Sequence, residues 1–125
     1  MDTNNRLLMI VEDHLETRRT LGAIFSRRGW RVCLATTVAE SMNLLDHGLE
    51  PDCLILDLRL PDGGGEEVLR KVRDSHLRTQ VVVCTGDADA MRASRVRQMD
   101  PDLLVYKPID GDVIFDAGFV RAWKQ

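Results

Sequence analysis

The stretch "CLILDLRLPDGGG", residues 53–65, runs four apolar residues into a carboxylate, Asp57, and within eight more residues meets Pro61 and three glycines. A short apolar run closed by turn-forming residues reads as a strand covered on both faces, the usual condition in the middle of a parallel sheet. An ionised Asp at the end of such a strand costs free energy unless a cation or hydrogen-bond donors meet it there. The groups that meet Asp57 must come from elsewhere in the chain.

Four other runs share the pattern: "LLMIV" at 7–11, "WRVCLA" at 30–35, "QVVVCT" at 80–85 and "LLVY" at 103–106. Helical signals lie between them. Alternating strand and helix predicts a flavodoxin-like, doubly wound α/β fold, with five parallel strands in the order 2-1-3-4-5 and helices on both faces. The first helix carries an apolar stripe, Leu15, Leu21, Ile24 and Phe25, and stops at Gly29. Thr37 and Glu40 form a T-x-x-E capping box before a second helix that stops at Gly48. A third should span about Glu66 to Arg73, its acids first and bases last to suit the helix dipole. The fourth, about Asp89 to Met99, has a weak stripe of Met91, Val96 and Met99, while Arg92, Arg95 and Arg97 read as a solvated face. Val113, Ile114, Ala117, Val120 and Trp123 suggest a last helix, weakened by Gly111 and Gly118.

At 125 residues the chain reads as one domain, 1–125, able to bury roughly 65–70% of its unfolded surface without a staple. A net charge of −3 gives no reason to expect nucleic acid as a partner. Cys33, Cys53 and Cys84 sit among apolar neighbours without metal-binding spacing, and read as reduced core thiols. The run at 7–11 is too short for a signal or a membrane span, which points to the cytoplasm.

In an open parallel sheet, ligands bind beyond the carboxyl ends of the strands. Those ends deliver Glu12 and Asp13, Asp57, Thr85 and Lys107 from four strands. Adjacent strands lie about 4.8 Å apart, so these side chains can share one small site. Two carboxylates roughly 5 Å apart repel by about 3 kcal/mol at an effective dielectric near 20. Lys107 offsets part of that, and a divalent, oxygen-seeking cation such as Mg²⁺ suits the remainder. A carboxylate so placed can act as a nucleophile toward phosphorus, and Asp57 is the central one.

"VED" at 11–13, "LDLRLPDGG" at 56–64, "CTG" at 84–86 and "YKP" at 106–108 resemble, in order and over essentially the whole chain, the signatures of the receiver domain of two-component response regulators. The resemblance extends to Pro61 and Gly65. It implies that Asp57 is the phosphoacceptor, that Asp13 and Asp57 bind Mg²⁺ (or Mn²⁺) directly, and that Glu12 acts mainly through water. It further implies that the backbone carbonyl of Arg59 completes the metal shell and that Thr85 and Lys107 hold phosphoryl oxygens. The implied donor is a histidine kinase or histidine phosphotransfer protein. The implied output is a downstream protein met through the fourth helix and fifth strand, without direct contact to nucleic acid or membrane. The domain would be a regulator with self-catalysed transfer and autodephosphorylation, not an enzyme in the ordinary sense.

The chain departs from the family at Leu104, where an aromatic residue is usual. Tyr106, two residues on and on the same strand face, or no aromatic at all, then reports the state of Thr85. Arg59 and Asp87 flank the site, and an ion pair between them would shield the phosphoryl group from water. Trp30 reads as core-edge packing, and Met42, Met91 and Met99 as adaptable packing. His14, His47 and His76 read as solvated or capping residues. Two rival functions stay open at this point. A haloacid-dehalogenase-type phosphatase would need a second Asp where Arg59 stands. A pseudo-receiver would act as an interaction module without phosphorylation.

Overall fold

The computed structural model describes residues 6–86 and 90–108. The chain forms β1 (Leu7–Val11), α1 (Leu15–Arg27), β2 (Arg31–Ala35), α2 (Val38–Asp46), β3 (Cys53–Asp57), α3 (Glu66–Asp74), β4 (Gln80–Thr85), α4 (Ala90–Arg97) and β5 (Leu103–Tyr106). The five strands pair in parallel in the order β2-β1-β3-β4-β5, as the alternation of elements predicts. A small antiparallel ribbon, Arg59–Leu60 against Gly63–Gly64, is added after β3. Asp87, Asp89 and the proposed last helix with Trp123 lie outside the described residues.

Burial follows strand order. All of β3 is buried and β1 and β4 nearly so, whereas the flanking β2 and β5 are half exposed. Side chains alternate between the faces with period two. Leu8, Ile10, Cys53, Ile55, Val82 and Cys84 pack with Leu21 and Phe25 of α1, where Trp30 meets Phe25 edge to face at 5.5 Å. Met9, Val11, Leu54, Leu56, Val81 and Val83 pack on the other side against Val38 and Leu45 of α2, Val68, Leu69 and Val72 of α3, and Val96 of α4. Helices therefore cover both faces. Among the described residues, no helix is long and apolar enough to cross a membrane.

The stop signals act as expected: Gly29 (φ 90°) and Gly48 (φ 96°) take the left-handed conformation after α1 and α2. Thr37 caps α2 by accepting the Glu40 N–H at 3.0 Å. Glu40 does not close the reciprocal half of the box. Its carboxylate accepts the N–H of Thr36 at 2.7 Å, one residue earlier than the motif implies. The remaining amides at the start of α2 are met by Asp62, which accepts from Val38 and Ala39 at 2.7 and 2.9 Å. His14 and His47 are terminal residues of α1 and α2, as read from the sequence.

Three expectations need correction. The buried face of α4 is Ala93 and Val96, whereas Met91 is 74% exposed, so Met91 does not share the face of Val96. Arg92 is not part of a solvated face; its guanidinium is paired with Glu66 between α4 and α3. Cys33 is only partly buried, since it stands on the edge strand, whereas Cys53 and Cys84 are core thiols.

Candidate functional site

The alternation that builds the core also builds the site. Leu8 and Ile10, Cys53 and Ile55, and Leu103 and Val105 face α1. Continued two residues further, the same period carries Glu12, Asp57 and Lys107 beyond that core at the carboxyl end of the sheet. The Lys107 ammonium lies 3.0 Å from Asp57 Oδ2 and 2.7 Å from Glu12 Oε1. Asp57 is 6% and Glu12 2% exposed.

Asp13 is exposed, and its carboxylate completes a triad. Glu12, Asp13 and Asp57 each offer an oxygen, and the three oxygens lie within 4.8 Å of one another. Thr85 is buried at the end of β4, one residue beyond Cys84, the register partner of Asp57. Its carbonyl accepts the Lys107 N–H at 2.8 Å, which ties the ends of β4 and β5 together. Arg59 donates its backbone N–H to Asp57 Oδ1 at 3.2 Å.

The electrostatics are coupled. Burial, together with the charge of Asp57, raises the Glu12 pKa above the ordinary carboxylate value, with Lys107 and the His14 N–H opposing. For Lys107, burial alone would lower the pKa, but the contacts with Glu12 and Asp57 outweigh it and hold the ammonium above its ordinary value. Burial pushes the neighbouring Cys84 thiol far upward, so it stays protonated.

Backbone contacts hold the acids in place, and one comes from a residue that the sequence did not single out. Arg18, in the first turns of α1, donates Nη1 to the carbonyls of Glu12 and Asp13 at 3.0 and 3.2 Å. The His14 N–H reaches Glu12 Oε2 at 3.0 Å. The loop after Asp57 turns at Gly65, where a Cβ would overlap the Asp57 carbonyl oxygen and sit 3.1 Å from Leu56 Cδ1. The site opens beside α1 into a cleft of about 750 Å³, lined by Glu12, Asp13, His14, Thr17, Lys107 and Pro108 among others.

Tyr106 is the register partner of Thr85 and half exposed, with its hydroxyl 3.5 Å from Arg97 Nη2, at the outer limit of a hydrogen bond. Leu104, on the same face, packs on the core beside α4. The proposed partner of Arg59, Asp87, lies outside the described residues.

The donor set suits a divalent cation. Among the described residues, three carboxylates stand against the Lys107 ammonium, which pairs with Glu12 and Asp57, and all the offered ligands are hard oxygens.

The chain is similar to known proteins over most of its length. The chain is 30% identical over 112 residues to the regulatory protein AtoC of Escherichia coli (strain K12), an alignment covering 90% of this chain but 24% of AtoC. It is 27% identical over 115 residues to sporulation initiation phosphotransferase F of Bacillus subtilis (strain 168), covering 90% of each. Its fold superposes with a TM-score of 0.85 on the CheY-like response regulator receiver domain protein from Methanospirillum hungatei JF-1. That match is 19% identical and covers 95% of this chain and 94% of the other. Residues 8–118 match the response regulator receiver domain family, and with its strand order and strand-end acids the chain belongs to that family, the receiver domains of two-component response regulators.

Proposed function

We propose that the chain is a phosphorylation-dependent switch in which Asp57 accepts a phosphoryl group from a histidine kinase or histidine phosphotransfer protein. The observation that carries this reading is the Lys107 ammonium in contact with both Asp57 and Glu12 at the end of the sheet. Glu12 and Asp57 are both buried, and Asp57 is the one on the central strand β3, where Lys107 and the Arg59 N–H both reach its carboxylate.

In the transfer, an Asp57 oxygen attacks phosphorus and an O–P bond forms. The bond from phosphorus to the donor's imidazole nitrogen breaks, and its electron pair leaves with that nitrogen. Lys107, the Thr85 hydroxyl and the Arg59 N–H offset charge on the phosphoryl oxygens. Glu12, Asp13, Asp57 and the Arg59 carbonyl would hold Mg²⁺, or Mn²⁺ in its place. When bound, that ion supplies the positive charge that neutralises the phosphoryl group and holds it in line. Water attacking the same phosphorus breaks the O–P bond to Asp57 and returns the carboxylate and inorganic phosphate. Residues 1–125 then act as a single self-catalysing receiver module, not as a turnover enzyme. The exchange would take place in the cytoplasm.

Phosphorylation adds roughly −1.5 to −2 charges at the strand ends. Drawing Thr85 and Lys107 toward that charge biases the α4 and β5 surface, where Met91 and Tyr106 are exposed for a downstream protein. Mixing the protein with Mg²⁺ and acetyl phosphate and weighing it intact tests the reading. One added phosphoryl group on the native chain and none on Asp57→Asn is expected. A mass unchanged in both proteins leaves the phosphorylation-independent interaction module in its place.

A further inference from the structure

Arg92 lies on α4, two residues after Ala90. Its Nε donates to Glu66 Oε2 at 2.8 Å and its Nη2 to Glu66 Oε1 at 2.9 Å, a bidentate pair between α4 and the start of α3. The two side chains are 18% and 22% exposed, so solvent screens the pair only partly. The same Nη2 also donates to the carbonyl of Leu58 at 2.7 Å.

That carbonyl is not an ordinary acceptor. It belongs to the Leu58–Arg59 peptide group, the second after Asp57, and it also accepts the N–H of Gly65 at 3.0 Å. A peptide group is a rigid plane, so the Leu58 carbonyl and the Arg59 N–H are two ends of one unit. The far end is the N–H that donates to Asp57 Oδ1 at 3.2 Å. A guanidinium on α4 and an amide at the start of α3 therefore grip one end of a plane whose other end touches the acceptor carboxylate.

We propose that Arg92 is a positioning residue for the Asp57 chemistry: through the Leu58–Arg59 peptide it aims the Arg59 N–H at the acceptor oxygen, and by the same contact ties α4 to the acceptor loop. This rests on the reading of Asp57 as phosphoacceptor. Glu66 fixes the guanidinium plane, and the Leu58 carbonyl receives the donor that plane presents. A lysine at position 92 supplies charge and one donor but no fork.

The test uses the native chain, Arg92→Lys, Arg92→Gln and the double variant Arg92→Met with Glu66→Met, in which no charge of the pair is left buried. Three quantities are measured: the rate of phosphoryl uptake from acetyl phosphate with Mg²⁺, the ¹⁵N and ¹H shifts of the Arg59 amide without metal, and the unfolding midpoint. Arg92→Gln and the double variant should take up phosphoryl groups on the order of tenfold more slowly, the worth of one charge-assisted hydrogen bond. Both should displace the Arg59 amide resonance, and Arg92→Lys should recover part of each effect. If the double variant is unstable, the graded order native, Lys, Gln in rate and amide shift carries the test. Native protein that is phosphorylated beside variants that react equally fast, or whose Arg59 amide is unmoved, overturns this inference and spares Asp57. Native protein that takes up no phosphoryl group overturns both.

Discussion

Gly65 shows how a single residue is fixed by its surroundings. Its φ of −63° and ψ of −15° suit any residue, so conformational freedom is not the reason for glycine. A side chain there would run into the carbonyl oxygen of Asp57, backbone that β3 holds in the sheet and cannot yield. Gly65→Ala should destabilise the fold by about 1–3 kcal/mol, read as a lower urea midpoint at unchanged slope. Phosphoryl uptake should slow with it, because the displaced peptide lies next to the acceptor. This residue was legible only through the family resemblance. The sequence marks "GGG" as a turn, but the atom that excludes a methyl group is a main-chain oxygen, which no sequence letter records.

Among the elements, α1 does more than cover one face of the sheet. Arg18 reaches back from its first turns to hold the carbonyls of Glu12 and Asp13, so the helix sets the spacing of the acids that precede it. Arg18→Ala should weaken Mg²⁺ binding by about tenfold, as loss of a residue that orients ligands commonly does, with helix content by circular dichroism unchanged. Calorimetric titration of the metal-free protein measures it, and an unaltered affinity would remove Arg18 from the site. The strands, their order and the strand-end acids were legible because burial imposes period two and topology places the strand ends together. Helices α1 to α3 were legible through Gly29, Gly48 and the charge order of Glu66, Glu67, Lys71 and Arg73. The face of α4 was not. Its short stripe has few apolar residues, and Arg92 finds its partners 26 and 34 positions away, one of them a carbonyl.

At the scale of the molecule, the Glu66–Arg92 pair joins two helices across the loop that leaves the acceptor. The guanidinium lowers the Glu66 pKa below its ordinary 4.5, against burial, which raises it. A carboxylate whose folded pKa is depressed contributes stability that is fully present above its unfolded pKa and is lost as pH falls through the folded one. Denaturant melts should therefore show a constant stability difference between the native chain and Glu66→Gln near neutrality. That difference should shrink as pH falls below about 4.5, and a difference independent of pH across that range would argue against the pair. The three cysteines offer a different consequence of the layered core. Cys33 is partly open on the edge strand, whereas Cys53 and Cys84 lie buried at opposite ends of the central strand pair. Alkylation by a thiol reagent is then a depth gauge: Cys33 is labelled in the intact molecule, and Cys84 only when the sheet parts beside Asp57, so a mass tag there times the breathing of the acceptor end.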